Sequence, residues 1–74
     1  GGTAPAIFNA ANEVAVAAFL AGELAFPAIT DVIEAALERE PAAPVTTLDE
    51  VLAADGRARS AAAAAVEQRR RRSA

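Results

Sequence analysis

Thr3-Ala4-Pro5-Ala6-Ile7-Phe8-Asn9-Ala10-Ala11-Asn12-Glu13-Val14-Ala15-Val16-Ala17-Ala18-Phe19-Leu20-Ala21-Gly22 is the stretch on which the fold turns. It reads as one helix from about Ala4 to Ala21. Thr3 suits the N-cap, Pro5 falls in the first turn where its missing N–H costs nothing, and Gly22 can take the left-handed conformation just past the end. At 100° per residue, Asn9, Asn12 and Glu13 gather on one side near the start. Beyond Glu13 no polar side chain recurs before Glu23. A helix that is apolar all round is normally buried all round. Two companion helices cannot surround it, so the stretch predicts a helical body with part of its cover missing.

Only two companions follow. Pro27 to Glu40 reads as a second helix, with Pro27 at its first position and Pro41 stopping it. Ile29, Val32, Ile33, Ala36 and Leu37 keep the spacing of an amphipathic helix, and Thr30, Asp31, Glu34 and Glu38 cover its other side. Pro41-Ala42-Ala43-Pro44 is a stiff extended linker, since its prolines disfavour helix. A third helix opens on a capping box, Thr47 with Glu50 three residues on. Leu48, Val51, Leu52, Ala62 and Val66 form its expected apolar stripe, with Asp55 and Arg59 in the middle of it. Gly56 marks a possible break, because glycine costs a helix about 1 kcal/mol relative to alanine. The reading is an all-α fold of three helices (about 4–21, 27–40 and 48–66) packed up-down-up as an incomplete four-helix bundle. It gives one domain over residues 1–66 and an Arg-rich frayed tail over 67–74.

Composition sharpens the point. Of the 74 residues 54% are apolar, but 23 are alanine and only 17 larger hydrophobes remain. A chain this short buries only about 60% of its unfolded surface, so marginal stability is expected. Cysteine and histidine are both absent, which removes disulfides, thiolate metal sites, thiol nucleophiles and the commonest general base. Tyr and Trp are absent and the three Phe are needed for the core, so base stacking on exposed aromatics is not expected. Residues 1–55 hold nine acids against Arg39, a net −8, whereas residues 56–74 hold six Arg against Glu67, a net +5; together they make −3. No apolar run reaches the roughly 18 residues of a membrane span, and no basic segment precedes the run from Val14 to Ala21 as in a signal peptide. The expectation is a soluble, cytoplasmic protein with no nucleic-acid or membrane partner. A first residue of Gly1 rather than Met reads as a piece of something longer.

Each candidate for chemistry has a plainer alternative. Asp31, Glu34 and Glu38 stand one turn apart as on a metal-binding helix, but no convergent second element accompanies them and a solvated acidic face serves as well. Asn9, Asn12 and Glu13 offer polar contacts to a ligand, or anchors to a loop or neighbouring domain. Asp55 and Arg59 suit an active-site pair, or an i,i+4 bridge that sets packing register. The four adjacent arginines Arg69 to Arg72 could bind RNA by counterion release, or simply end the chain in solvent.

Gly2-Thr3-Ala4-Pro5-Ala6-Ile7-Phe8 runs into Asn9-Ala10-Ala11-Asn12-Glu13 and then Val14-Ala15-Val16-Ala17-Ala18-Phe19-Leu20-Ala21-Gly22. This closely resembles a signature near the C-terminus of bacterial 1-deoxy-D-xylulose 5-phosphate reductoisomerase. Phe26-Pro27-Ala28-Ile29 is similar to that family's entry into its next helix, and Asp49-Glu50-Val51-Leu52-Ala53-Ala54-Asp55-Gly56-Arg57-Ala58-Arg59 to its final helix. The matches keep their order from residue 2 to residue 59; the Arg-rich end is not part of the pattern, and Gly56 is unusual for it. The resemblance implies a cytoplasmic enzyme of the bacterial non-mevalonate isoprenoid pathway. Such an enzyme isomerises and reduces deoxyxylulose phosphate to 2-C-methyl-D-erythritol 4-phosphate with NADPH and a divalent metal, Mg or Mn. It further implies a homodimeric parent with a dinucleotide-binding domain, a catalytic domain and a C-terminal four-helix bundle, of which this chain supplies three helices and lacks the first. The family's cofactor, metal and phosphate residues lie upstream, so no catalytic, cofactor-binding or metal-binding residue is expected here. The chain's partner would be the rest of that parent, and its role structural. A free-standing helical module that self-associates through the open side of the first helix is the alternative.

Overall fold

The computed structural model describes residues 2–73 as three helices, α1 (Ala4–Leu20), α2 (Ala28–Arg39) and α3 (Leu48–Ser73). No strand occurs among the described residues, so the all-α expectation holds. Gly1 and Ala74, the outermost residues of the expected domain and tail, lie outside the described residues. No described helix is long and apolar enough to cross a membrane.

The C-terminal end of α1 closes as its sequence requires. Ala21 is the C-cap and Gly22 stands at φ +77°. The Gly22 N–H donates to the Phe19 carbonyl at 3.0 Å and the Glu23 N–H to that of Ala18 at 2.8 Å, the paired bonds of a Schellman ending. Leu24 then joins Ala18 in the buried core. The N-terminal end differs from expectation. Thr3 occupies the N-cap position without capping. Its hydroxyl instead accepts the Ala43 N–H at 2.9 Å, and its own N–H donates to the Ala43 carbonyl at 2.9 Å. Thr3 is thereby buried and latches the α2–α3 linker onto the start of α1.

Pro27 precedes α2 as its N-cap, with Asp31 in the first turn and Arg39 in the last, each at the end of the helix dipole that favours its charge. At α3 the Glu50 N–H donates to Thr47 Oγ1 at 3.2 Å, and Glu50 Oε1 accepts the hydroxyls of Thr46 at 2.7 Å and Thr47 at 3.1 Å. These bonds, Thr46 first and Thr47 second, hold the Glu50 carboxyl below its ordinary value of 4.5. A carboxyl depressed in the folded state contributes stability above its unfolded value and loses it as pH falls through the folded one. The onset of α3 is therefore expected to loosen only as pH falls below the ordinary glutamate range, and Glu50→Gln to remove that pH dependence. Amide exchange at Glu50 followed against pH checks this, and a Glu50 carboxyl titrating at or above the ordinary glutamate value would contradict it.

α3 departs from expectation twice. It runs unbroken past Gly56, and it continues through the expected frayed tail as far as Ser73. Arg69 ties the extension to α2 through Asp31 at 2.7 Å, and Glu67 pairs with Arg70 at 3.2 Å and Arg71 at 3.6 Å. Arginines in a last turn also face the negative end of the helix dipole. The stripe is the second departure. Leu48 and Leu52 lie 71% and 59% exposed, and the buried line is Ala54, Ala58, Ala61, Ala62 and Val66. Alanine carries the inward period because the two facing helices leave room for little else.

Two buried clusters give the packing. Ile7 and Ala10 of α1 meet Ala54 and Ala58 of α3 at one end. Ala11, Ala15 and Ala18 of α1 join Leu24, Ala28, Val32, Ile33 and Ala36 around α2 and Ala61, Ala62 and Val66 of α3 at the other. α1 and α3 thus run the same way and α2 against them, the up-down-up order. The linker, pinned at Ala43 to Thr3, crosses the start of α1 and begins α3 there. The body is a rod of 42 × 19 × 16 Å, its long dimension set by the 26 residues of α3 at about 1.5 Å each.

Candidate functional site

α1 buries Ile7, Ala10, Ala11, Ala15 and Ala18 against its two companions. The rest of its circumference is open. Phe8, Val16, Phe19 and Leu20 are 48%, 36%, 38% and 76% exposed. Phe26, from the α1–α2 turn, stands edge-on to Phe19 with ring centroids 5.5 Å apart. An apolar surface running the length of one helix is unlike the singly scattered hydrophobes of an ordinary surface, and such faces mark contact sites. The cause lies in the sequence, where a helix apolar all round has only two neighbours.

Asn9 and Asn12 sit within this face, Asn9 exposed and Asn12 half-buried. Neither takes part in a side-chain hydrogen bond among the described residues. Glu13, the third member of the group, turns toward α3. Arg59 Nη2 donates to Glu13 Oε2 at 3.3 Å, while Arg59 Nε and Nη2 donate to the two Asp55 oxygens at 2.7 and 3.3 Å. Asp55, first, and then Glu13 hold the guanidinium pKa above its already high value. Asp55 and Arg59 are not in the middle of the buried stripe, as the sequence reading has them; they flank it, half-exposed. The trio joins α3 to α1 through the Arg59–Glu13 pair, and exposed pairs of this kind contribute little to stability.

Two further cross-helix pairs escape sequence reading, Arg57 with Glu40 at 3.1 Å and Arg69 with Asp31 at 2.7 Å. No local spacing signals them, because partners 17 and 38 residues apart meet only once the helices are docked. They also decide the acidic series on α2, since Asp31 is engaged by Arg69. Among the described residues no group of three acidic or other metal-binding side chains is placed to hold an ion. A divalent cation needs several converging oxygens; of Asp31, Glu34 and Glu38, Asp31 is drawn instead to Arg69. Among the described residues the glycines at 2, 22 and 56 stand far apart in the chain and make no phosphate-cradling loop. Of the surface depressions, an open groove of about 440 Å³ between α1 and α3 is lined by Val14, Ala17, Ala21, Ala63 and Val66 together with the charged Glu23, Glu67 and Arg70. It extends the apolar surface around α1.

Fold and face together define the class, an all-helical domain built around an incompletely covered apolar helix. The chain belongs to the family of the DXP reductoisomerase C-terminal domain, which matches residues 1–61. It is 60% identical over 62 residues to 1-deoxy-D-xylulose 5-phosphate reductoisomerase of Pseudomonas paraeruginosa, a match covering 84% of this chain and 16% of that protein. The enzyme of the same name from Pseudomonas putida is 58% identical over 59 residues, 80% of this chain and 15% of the relative. That of Cupriavidus taiwanensis is 54% identical over 61 residues, 82% and 16% respectively. The chain thus corresponds to about one-sixth of the length of the relatives it matches. No solved structure matches it. The family match stops within α3, before Val66 and the arginines from Arg69 to Arg72.

Proposed function

We propose that this chain serves as the C-terminal helical domain of a 1-deoxy-D-xylulose 5-phosphate reductoisomerase, bracing the catalytic domain and contributing no reacting group. The observation that carries the reading is the open apolar face of α1, which a domain of a larger protein would bury against the remainder. The parent would be a bacterial, cytoplasmic homodimer of the non-mevalonate isoprenoid route. Its NADPH and divalent metal would be held elsewhere in the polypeptide, and the fourth bundle helix would come from the preceding part of it. Asn9, Asn12, Glu13, Asp55 and Arg59 then act as structural residues, the last three within the chain and the first two toward its neighbour.

A graft tests this. The matching segment of the Pseudomonas paraeruginosa enzyme is replaced by the present chain, and NADPH oxidation with deoxyxylulose phosphate is followed. The graft is expected to turn over. Phe19→Asp with Leu20→Asp is expected to abolish turnover, because two carboxylates would be buried unpaired. Turnover by the 74-residue chain alone, or a doubly substituted graft as active as the unsubstituted one, would contradict the proposal. The same face also suits self-association, and a tight, discrete dimer of the separate chain in sedimentation would favour that rival.

A further inference from the structure

We infer that Asn12 is a docking residue whose side-chain amide pairs with a free peptide edge, an extended or turn segment of backbone, in the remainder of a reductoisomerase chain. The inference rests on the function proposed above and gives its interface a partner chemistry. Asn12 lies at the centre of the open face, with Phe8 one turn before it, Val16 one turn after and Phe19 two turns after. An occupant that was apolar throughout would be met better by leucine there, which is also the better helix former. Within the chain Asn12 gains nothing that offsets this, since it has no hydrogen-bond partner among the described residues. Half-buried already, it would be fully enclosed by anything that covers Phe8 and Val16, and an enclosed amide must be satisfied.

The amide presents an acceptor and two donors side by side. A helix laid on this face would offer it a match only through a side chain or at an end, because elsewhere a helix satisfies its own backbone. A strand edge or turn offers adjacent free N–H and C=O groups, and most side-chain hydrogen bonds go to backbone or water. The matched relatives extend far beyond the segment they share with this chain, which covers 16% of one of them, so the larger part of such an enzyme is available as occupant. A second copy is less suited. Each copy carries a net −3, so apposing two of them would bring like-charged bodies together.

The test is Asn12→Leu, measured in the separate chain and in the grafted enzyme described above. In the separate chain the thermal midpoint is expected to stay or rise slightly, since no bond is lost and helix propensity improves. In the graft the midpoint is expected to fall by about 2–5 °C, because the partner's peptide groups lose their mate. Asn12→Asp, nearly the same shape, keeps the acceptor and removes the donors, and should lower the graft midpoint without disturbing the separate chain's fold. An unchanged or raised midpoint in the Asn12→Leu graft, or an equal fall in both settings, would overturn the inference. So would a dimer of the separate chain that Asn12→Leu dissociates, which would make a second copy the occupant. Failure of the unsubstituted graft to fold or turn over would instead sink the proposed function, and this inference with it.

Discussion

Ile7→Ala should leave the 74-residue chain largely unfolded in water at 25 °C. Ile7 is 1% exposed and is the one large side chain in a cluster otherwise made of Ala10, Ala54 and Ala58. Truncating a buried isoleucine to alanine costs about 2–5 kcal/mol, the upper end applying where neighbours cannot collapse into the gap. Three alanine methyls on two helices cannot reach across it. A single core of this size rarely supplies more than about 3–5 kcal/mol in total, so one substitution removes most of what there is. Far-UV circular dichroism with urea titration reads the loss directly. Leu48→Ala, a change of similar size at a residue 71% exposed, should move the midpoint hardly at all. Equal effects from the two substitutions would contradict the buried line of α3 described above.

That contrast shows where the sequence was legible. The three helices and the turn that ends α1 follow from prolines, a glycine and a capping pair acting over a few residues, and these local signals carry over to the structure. The face that α3 buries is different. Judged by side-chain size, Leu48 and Leu52 outrank any alanine, yet α1 and α3 meet through Ala10, Ala54 and Ala58. The buried side of α1 is mostly alanine, and small residues of α3 pack on it, a property of the pair that neither segment shows alone. The extension to Ser73 was hidden for a related reason. Arg69 looks like solvated charge until docking places Asp31 beside it. Of the polar residues singled out in the sequence, the structure joins Glu13, Asp55 and Arg59 into one clip and leaves Asn9 and Asn12 on the open face. Choosing between those roles needed the direction in which each side chain leaves its helix. The latch had no signature in the linker, since Ala43 offers it only a backbone N–H and carbonyl, and on the other side the Thr3 hydroxyl reads as a helix cap.

Gly2→Ala probes that latch and should be the second most damaging small change in the chain. Gly2 holds φ +71°, and a Cβ placed there would sit 2.5 Å from the Ala43 carbonyl oxygen and 3.3 Å from its carbon. Both atoms are backbone, so no side-chain rotation relieves the clash. Either Gly2 leaves its left-handed conformation or the linker moves off Thr3, and in both cases the two Thr3–Ala43 hydrogen bonds are broken. About 1 kcal/mol for each of the two lost bonds, plus left-handed strain of about 1–2 kcal/mol where that conformation is kept, gives an expected cost of roughly 2–4 kcal/mol. Gly22→Ala supplies the control. It shares the conformation, at φ +77°, but a Cβ there meets nothing within 4 Å, so only the strain of about 1–2 kcal/mol should appear. The difference between the two urea midpoints is therefore the contribution of the latch. Amide exchange at Thr3 and Ala43 should quicken in Gly2→Ala and stay slow in Gly22→Ala. The consequence reaches the open face. The latch fixes where the linker crosses the start of α1, hence where α3 begins and which side of α1 it covers. Releasing it in the grafted enzyme should lower the thermal midpoint even though Gly2 lies outside the apolar face. A Gly2→Ala chain as stable as Gly22→Ala, with the Ala43 amide still protected, would show that the linker holds its course without this contact.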